Sequence, residues 1–293
     1  MAVASEPPHC LLLGGGYTLQ RLAAMMPQGS FVITSRNRER CAAWIRQGWL
    51  AETLSIDDSE RLAQILAQYP SIKVIVDSVP PLRDGEPARG VSSVVSCVQS
   101  SQISRLIYLS TTGVYGVLDG SVVDESTPCH PHSPGGRARK SSEELYRSLS
   151  GTCNVTVLRL PAIYNFDRGL RSAICSGRYR IIGDGSQWTN RIHVDDLVEI
   201  IRLSITFPGV LPDVLCVSDD LKATASEVAA FICEREGLPM PESITRREAI
   251  TQGLHTMLSN QRVDNSLMKQ TLGVVLQYPS YREGFYSDRQ ARA

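Results

Sequence analysis

The chain has 293 residues, of which 42% are hydrophobic and 20% are charged, and its formal net charge is zero. These values are ordinary for a globular protein, and the length suits one large α/β domain or a core domain with a smaller lobe. A zero net charge without a basic stripe argues against a protein that binds nucleic acid or an anionic membrane.

The N-terminal segment MAVASEPPHCLLLGGG has no basic region before its short apolar run, so it does not predict a signal peptide. No stretch approaches the roughly 20 apolar residues that a membrane span needs. The eight cysteines are irregularly spaced without Cys-x-x-Cys, which indicates reduced thiols, and no histidine pairs with a cysteine at metal-ligand spacing. We therefore expect a cytoplasmic monomer or homodimer without a metal, a membrane or a nucleic-acid partner.

Apolar runs and helical stripes alternate along the first 160 residues. The runs that predict strands are Cys10–Leu13, Ser30–Thr34, the WLAETL segment at 49–54, Ile72–Val79, Arg105–Ser110 and Asn154–Leu160. After the first run, Leu19, Leu22, Ala23 and Met26 recur at helical spacing. Because the predicted strands are continuous apolar runs, they favour a parallel sheet buried on both faces, the doubly wound Rossmann-type α/β fold.

The rhythm changes past residue 165, where glycine and arginine are frequent and the helical stripes are shorter. We therefore expect a dinucleotide-binding Rossmann domain over residues 1–165 and a small α/β lobe on the substrate side over residues 166–293. The apolar segment at 190–204 is expected to pack back onto the first domain. Such folds bind ligands at the carboxyl end of the sheet.

Gly14, Gly15 and Gly16 stand between the first predicted strand and the first helix. Glycine lets the backbone turn tightly and approach a pyrophosphate, which then faces the helix N-terminus. The pattern G-x-G-x-x-G would place its third glycine at Leu19, but that glycine serves helix packing more than phosphate contact. A simple tight turn is the alternative. The residues predicted to bind the cofactor here are Gly14, Gly16, Tyr17, Thr18 and Leu19.

The end of the second predicted strand bears on the choice between NAD and NADP. NAD sites offer an acidic residue to the ribose 2′-hydroxyl about 20 residues beyond the glycines. This chain has Ser35, Arg36 and Asn37 there, and no carboxylate before Glu39. A guanidinium beside a hydroxyl suits a 2′-phosphate, so the sequence favours NADP over NAD. The alternative is a solvated basic helix start.

Three ordered segments, YLSTTGVYG (108–116), LRLPAIYN (158–165) and NRIHVDDL (190–197), resemble extended short-chain dehydrogenases of the NAD-dependent epimerase/dehydratase family. The segments DSVPPLRDGEP (77–87), PGGRAR (134–139) and NQRVDN (260–265) are similar to its atypical branch, the nucleoside-diphosphate-sugar epimerase-like proteins. The resemblance covers nearly the whole chain. It implies a Rossmann-type fold, a nicotinamide dinucleotide and a small-molecule substrate.

The resemblance implies roles at matching positions. Thr111 matches the catalytic Ser/Thr that hydrogen-bonds a substrate oxygen, although a strand-end threonine is also satisfied by backbone. Lys140 matches the lysine that holds the nicotinamide ribose, although it could simply pair with Glu144 at i+4. The resemblance implies that both also border the cofactor. Further positions expected beside the cofactor are Ser78, Val79, Pro80, Pro161 and Ile163.

Gly136 occupies the position of the family's catalytic tyrosine, four residues before Lys140. Glycine offers neither a side chain nor an acid. Tyr164 is the substitute that we include with Thr111 and Lys140 in the catalytic set, and Tyr115 is a second candidate. Loop packing is the alternative interpretation of both tyrosines, and a catalytic role for His193 is weaker still.

The sequence thus predicts an NADP(H)-binding, short-chain dehydrogenase-like oxidoreductase or epimerase. Its substrate would be a small molecule with a hydroxyl or carbonyl, and a sugar nucleotide is one candidate. The alternative is a non-catalytic protein that senses NADP(H) or acts as a scaffold, a hypothesis motivated by the missing tyrosine.

Overall fold

The computed structural model describes residues 7–82 and 89–287. Most of the LRDGEP part of the segment at 77–87 therefore lies outside the described residues. The chain divides into two compact units. Of the described residues, the first unit contains those up to Ser110, then Ala138–Leu158 and Val198–Leu215. The second unit contains Thr111–Arg137, Arg159–Leu197 and the residues from Cys216 onward.

This division differs from the boundary expected at residue 165. The chain leaves the first unit after Ser110, returns for the segments at 138–158 and 198–215, and only the latter part of 190–204 belongs to the first unit. The reason lies in the apolar side chains that follow the fifth strand. Val114, Tyr115 and Val123 form a buried cluster with Cys216 and Val263, residues that are distant in sequence.

Strands occur along the whole described part of the chain. They are β1 Cys10–Leu13, β2 Phe31–Ser35, β3 Leu50–Thr53, β4 Val74–Asp77, β5 Arg105–Thr111, β6 Val122–Val123, β7 Asn154–Leu160, β8 Ala162–Tyr164, β9 Ile181–Ile182, β10 Trp188–Thr189, β11 Arg191–His193, β12 Val214–Cys216, β13 Ala223–Thr224, β14 Ser243–Ile244 and β15 Arg262–Val263. The six predicted strands correspond to β1 to β5 and β7.

Helices connect these strands. They are α1 Tyr17–Met25, α2 Arg38–Arg46, α3 Ser59–Gln68, α4 Arg89–Gln99, α5 Pro134–Arg147, α6 Leu170–Cys175, α7 Val194–Thr206, α8 Ala225–Glu236, α9 Arg246–Thr251, α10 Ser266–Leu272 and α11 Tyr281–Gly284, with 3₁₀ turns at Thr112–Val114 and His255–Leu258. Within residues 7–82 and 89–287, no helix is both long enough and apolar enough to cross a bilayer.

The described strands of the main sheet have the order β12-β7-β5-β4-β1-β2-β3. The pairs β2–β3, β1–β2, β1–β4 and β4–β5 are parallel. The order reverses between β1 and β4, because the chain builds outward on one side of β1 and then crosses to the other. This confirms the predicted doubly wound α/β fold, and the carboxyl ends of β1 and β4 border its usual ligand crevice.

The first unit owes its core to strands that are apolar along their length. All four residues of β1 and of β4 are buried. The helices add their apolar stripes, for example Leu62 and Ile65 from α3 and Val94 and Val98 from α4. Side chains on both faces of a parallel sheet are thereby removed from water, as the continuous apolar runs predict.

The second unit has a separate core built around α8. Val228, Ala229 and Ile232 of that helix pack with Tyr164 and Phe285. α8 begins with a capping box, in which the Thr224 hydroxyl accepts a hydrogen bond from Glu227 N while the Glu227 carboxylate accepts one from Thr224 N. The short strands of this unit pair two by two.

Candidate functional site

The turn between β1 and α1 is the first candidate site, and it lies in the first unit. Gly14 has a φ of +82°, a conformation that favours glycine. Its N–H donates to Thr34 Oγ1 at 3.2 Å, and Gly16 N donates to Gly14 O at 2.6 Å. Gly16 is the N-cap of α1 and provides no side-chain cap. The backbone N–H groups of the first turn of α1 can therefore donate to another acceptor.

The three glycines have different surroundings. A Cβ on Gly14 would lie 2.7 Å from Val79 Cγ2, and one on Gly15 would lie 2.2 Å from the Trp44 ring. A Cβ on Gly16 would find no heavy atom nearer than Gly14 O at 3.9 Å. Gly14 and Gly15 are therefore required by packing, whereas Gly16 faces open space at a helix N-terminus. This combination fits a pyrophosphate.

The β4 end supports the turn from behind. Ser78 Oγ donates to Gly14 O at 2.8 Å, and the Val79 side chain contacts the same glycine. Pro80 is exposed. Of the residues predicted to bind the cofactor, Ser78 and Val79 are thus brought to the glycine turn by the sheet register, in which Leu13 of β1 pairs with Asp77. Thr18 and Leu19 belong to the buried face of α1.

Trp44 is a supporting residue that the sequence reasoning missed. It is 4% exposed, stacks on Trp49 with ring centroids 6.2 Å apart, and covers Gly15. Arg40 of the same helix also places its guanidinium near the turn, with Nη1 3.5 Å from Gly15 O. The spacing of Cys41 and Trp44 in RERCAAWIR could have indicated a buried face, but not its contact with the glycines.

The residues predicted to read the 2′-position lie at the end of β2. Asn37 is the N-cap of α2, where its Oδ1 accepts from Arg40 N at 2.8 Å, and Ser35 Oγ accepts from Asn37 N at 3.2 Å. Arg36 is exposed. The Ser35 and Asn37 side chains thus stabilise the turn itself. Arg36 is the residue whose guanidinium remains as the candidate for binding a 2′-phosphate.

Lys140 lies on α5 in the first unit. Its Nζ is 3.7 Å from Glu144 Oε1, and the two side chains are 40% and 61% exposed. This is the surface pair that the sequence offered as the alternative, and such a pair contributes only a few tenths of a kcal/mol. Its exposure leaves the ammonium accessible to a ligand as well.

A cavity of about 480 Å³ is the second candidate site, and it lies wholly in the second unit. Thr111 lines it, while its Oγ1 accepts a hydrogen bond from Gly113 N at 3.1 Å. Pro161 lines it too, whereas Ile163 pairs with Ile192 in the β8–β11 ladder. Such a volume is in the range of small-molecule sites.

Four of the residues that line the cavity can carry a positive charge. They are His132, Arg191, Arg246 and His255. Among the described residues that line it, none is a carboxylate. Trp188 and Tyr179 add aromatic surface. The cavity therefore favours a ligand that combines an anionic group with a ring or sugar body.

Arg191 is the most buried of these cations, at 3% exposure. Its guanidinium hydrogen-bonds the Thr189 hydroxyl, and Nη1 has no hydrogen-bond partner among the described residues. Burial lowers the pKa of Arg191, and the charge of Asp219 opposes that shift. The pKa of Asp219 is in turn raised by burial to about 7. A buried cation with an unused donor is suited to binding an anion.

Two of the sequence motifs meet at this cavity. Asn190, from NRIHVDDL, donates through Nδ2 to Gln261 O at 2.8 Å and accepts from Val263 N at 2.9 Å. Gln261, from NQRVDN, is 1% exposed and donates to Thr112 O at 3.0 Å. Neither motif indicates by itself which residue it contacts, because the two segments are some 70 residues apart.

Gly136 occupies a closed position at the start of α5. A Cβ there would lie 2.7 Å from Gly113 O, 2.9 Å from Pro131 Cβ and 3.0 Å from Ser133 Oγ. Ser133 Oγ also accepts from Gly136 N at 2.9 Å and so caps the helix. The Gly113 carbonyl and the Pro131 and Ser133 side chains thus fill the space through which a tyrosine side chain would leave this position.

Tyr164 lies in the packed core of the second unit. It is 1% exposed, its hydroxyl donates to Ser280 O at 3.1 Å, and its ring packs 4.5 Å from that of Phe285. Burial raises the pKa of the Tyr164 phenol. A phenol that is buried, already hydrogen-bonded and harder to ionise is a poor proton donor, so the geometry favours the loop-packing alternative over a catalytic Tyr164.

The other two substitutes are also engaged in packing. Tyr115 is 1% exposed, and its hydroxyl donates to Asp124 O at 2.7 Å beside the Cys216 thiol. Burial raises its pKa. His193 is fully buried between Tyr164 and Tyr278, and its Nδ1 accepts from Asp195 N at 3.3 Å. Neither side chain is among those that line the cavity.

Comparisons with known proteins agree with this fold. The family model of the NAD dependent epimerase/dehydratase family matches residues 14–213. A structure described as a functionally unknown conserved protein from Silicibacter pomeroyi DSS is 30% identical, with a TM-score of 0.76 over 98% of this chain and 99% of that one. The structure of MoeE5 with UDP-glucose and NAD is 19% identical, with a TM-score of 0.76 over 97% of this chain and 100% of that one, which shows the fold alone.

Among curated proteins, Protein YeeZ of Escherichia coli (strain K12) is 30% identical over 123 residues. That alignment covers 41% of this chain and 42% of YeeZ. The chain thus spans about half or less of the length of the curated relatives it matches, and their activities are not transferred to it as a whole.

Proposed function

Because this chain belongs to the NAD dependent epimerase/dehydratase family, we propose that it binds NADP(H) and acts as an oxidoreductase or epimerase on a hydroxyl- or carbonyl-bearing substrate, with sugar nucleotides as the class to test first. The observation that carries the proposal is the glycine turn. Gly16 opens α1 without a side-chain cap and with free space at its Cβ position. That arrangement suits a pyrophosphate.

The preference for NADP over NAD is supported by charge. Arg36 is exposed at the end of β2, and no carboxylate precedes Glu39. A guanidinium binds a 2′-phosphate by charge and by paired hydrogen bonds. When bound, the nicotinamide would supply hydride transfer, and the chain's residues would supply position and a proton route.

The glycine turn, Lys140 and Thr111 each have a proposed task. The backbone of Gly14, Gly16 and the first turn of α1 would bind the pyrophosphate, and Lys140 Nζ would bind the nicotinamide ribose. Thr111 Oγ1 would hydrogen-bond the substrate oxygen, since its bond from Gly113 N uses an acceptor position and not its own proton.

The substrate class is supported by the cavity of the second unit. Its lining has Arg191 and Arg246 for an anionic group and Trp188 for a ring, with no carboxylate among the described residues that line it. The MoeE5 structure contains UDP-glucose, a ligand with both features. A neutral carbonyl compound would lack the anionic group that the unused Nη1 donor of the buried Arg191 suits.

The cofactor proposal is tested by titrating the protein with NADPH and NADH. We expect NADPH to bind more tightly, and Arg36→Ala to weaken NADPH by about 10–100-fold, the value of a charge-assisted contact, with NADH unchanged. An equal loss for both dinucleotides would contradict the role of Arg36. If neither NADPH nor NADH binds, the cofactor proposal is refuted.

Catalysis is tested by following nicotinamide reduction or epimer formation with UDP-glucose, UDP-glucuronic acid and dTDP-glucose. Simple hydroxyketones provide the neutral comparison. We expect turnover of the sugar nucleotides and none of the hydroxyketones.

A second candidate function is favoured by the closed position at Gly136. A protein that binds NADP(H) without turnover, as a sensor or scaffold, would not need a proton donor at this position, which has no room for a side chain. It requires a different affinity or shape for the oxidised and reduced cofactor, because a ligand shifts an equilibrium only by differential binding. Equal binding of NADP⁺ and NADPH, with identical proteolysis patterns, would exclude the sensor.

A further inference from the structure

A buried carboxylate lies directly behind the glycine turn in the first unit. Asp77 is the last residue of β4 and is fully buried. Its register partners are Leu13 on β1 and Tyr108 on β5. Because Gly14 follows Leu13, the carboxylate and the turn occupy the same edge of the sheet.

Asp77 fixes the segment that contacts the turn. Its Oδ1 accepts a hydrogen bond from Val79 N at 2.8 Å, and its Oδ2 accepts one from Tyr146 Oη at 2.6 Å. The Val79 side chain thereby held lies against Gly14, and Ser78 Oγ donates to Gly14 O. The shape of the turn therefore depends on the hydrogen bonds of Asp77.

The groups that face Asp77 set its charge. On β5 the neighbour is Tyr108, and on α5 the neighbours are Tyr146 and Arg139, whose Nη1 donates to Tyr108 Oη at 3.0 Å. β1 presents the apolar Leu13. Glu143, a buried acid of α5, accepts a hydrogen bond from Ser110 Oγ at 2.6 Å.

Within the described part of α4, the titratable buried group is the Cys97 thiol. Burial raises the pKa of Asp77 to about 6, and the bonds from Tyr146 and Val79 and the charge of Arg139 oppose the shift without cancelling it. The carboxylate is thus mostly ionised at neutral pH and close to its titration range.

We propose that Asp77 is a positioning residue for the pyrophosphate site and that binding of a dinucleotide at the glycine turn is coupled to protonation of Asp77. The inference rests on the proposed function. A pyrophosphate adds negative charge near a buried carboxylate, and like charges favour protonation. By linkage, affinity falls as pH rises through the titration of Asp77, and binding takes up protons.

Calorimetric titration of the full chain with NADH between about pH 5.5 and 8, in buffers with different ionisation enthalpies, measures this coupling. NADH is the first probe because the 2′-phosphate of NADPH itself titrates near about pH 6. We expect affinity to fall about tenfold across the range, with fractional proton uptake, as a charge pair at intermediate dielectric would give.

Asp77→Asn separates charge from position. The Asn amide oxygen can accept from Val79 N while its NH₂ donates to Tyr146 Oη, so both contacts persist without the charge. We expect a flat pH profile, no proton uptake and unchanged or tighter binding. Superimposable profiles for Asp77→Asn and the wild type would overturn the coupling.

Asp77→Ala tests the positioning. It removes the acceptor of Val79 N, so we expect weaker binding than Asp77→Asn at every pH, by about tenfold. Equal affinity of the two variants would overturn the positioning role. Circular dichroism and a thermal melt show whether Asp77→Ala folds, and Asp77→Asn and Tyr146→Phe decide the coupling independently of it.

Tyr146→Phe gives a signature that a purely structural role would not move. Loss of the Tyr146 hydroxyl removes a bond that favours the carboxylate, so the pH midpoint should move upward while affinity on the acid side is kept. Tyr69→Phe is the matched control, because the Tyr69 hydroxyl donates to Glu52 Oε1 at 3.1 Å elsewhere in the same unit. An unmoved midpoint in Tyr146→Phe would contradict the coupling. Failure of the wild type to bind NADH and NADPH alike would instead refute the proposed function, and with it this inference.

Discussion

Two glycine-containing segments of this chain differ in what surrounds them. At Gly16, the start of α1 has open space where a side chain would be, and no side chain caps the helix. At Gly136, the start of α5 is closed by Gly113 O, Pro131 and Ser133, and Ser133 caps the helix. Both glycines stand at the start of a helix, Gly16 as the N-cap of α1 and Gly136 in the first turn of α5.

The difference separates two meanings of glycine. An open helix N-terminus offers backbone donors to an anion, so glycine there leaves room for a ligand. A glycine whose Cβ position is filled by other atoms of the chain is required by the protein's own packing. The first segment thus has the form that suits a pyrophosphate, whereas the second has no room for a side chain at the start of α5.

The largest effect is expected within the glycine turn. Gly14→Ala places a Cβ at a φ of +82° and 2.7 Å from Val79 Cγ2, so strain and overpacking together should lower the free energy of unfolding by about 2–4 kcal/mol. Gly16→Ala should leave stability nearly unchanged but weaken NADPH binding. Urea denaturation and NADPH titration measure the two quantities, and similar stability losses in both variants would contradict the comparison.

A pH-dependent effect of similar size is expected behind the turn. Burial raises the pKa of Asp77 to about 6, above its value in the unfolded chain, so the wild type loses stability as pH rises through that interval. Asp77→Asn removes this loss. Relative to the wild type, the variant should gain about 3 kcal/mol between about pH 4 and 6.5. Urea midpoints across that range measure it, and a constant difference would show that Asp77 does not titrate there.

A smaller effect is expected at the start of α5. Gly136→Ala should lower the free energy of unfolding by about 1–3 kcal/mol, because the new Cβ meets Gly113 O at 2.7 Å. Gly135→Ala is the matched control: nothing lies within 4 Å of its Cβ, and replacing a helical glycine should stabilise by up to about 1 kcal/mol.

Gly136→Tyr extends that experiment to the chemistry. It should destabilise at least as much as Gly136→Ala and should not raise the turnover of sugar nucleotides above that of the wild type. A well-folded Gly136→Tyr protein with faster turnover than the wild type would show that the position is not closed.

The smallest effect on stability is expected at Lys140. Lys140→Met removes the exposed pair with Glu144 and should change the free energy of unfolding by less than about 0.5 kcal/mol. If Lys140 binds the nicotinamide ribose, NADPH affinity should still fall about fivefold or more. Glu144→Gln breaks the same pair without removing the lysine, so it should leave affinity unchanged. If both variants and the wild type bind NADPH with equal affinity, Lys140 is only a surface residue.

Local sequence determined much of the first unit. Apolar runs such as Cys10–Leu13 and glycine turns such as Gly14–Gly16 have the same consequence in any context, because burial on both faces of a parallel sheet requires continuous apolar strands. The sequence also located the cofactor candidates Ser78 and Val79 next to the turn, since parallel strands end at one edge.

Contacts between distant residues were decided by the tertiary structure alone. Three examples are the contact of Trp44 with Gly15, the hydrogen bonds of Asn190 with Gln261 and Val263, and the cavity lined by Arg191. Each brings together segments that no periodic pattern in the sequence connects. The same holds for Tyr164. The motif marked it as a candidate acid, but its burial against Phe285 and Ser280 depends on residues more than 100 positions away.

The identity of the fold, the glycine turn and the absence of a tyrosine at position 136 are properties of the sequence itself, because they follow from residue type and local spacing. What the absence means was decided by three-dimensional packing. Only the folded chain shows that Gly113 O, Pro131 and Ser133 fill the space beside Gly136, because van der Waals exclusion acts between atoms and not between positions in a sequence.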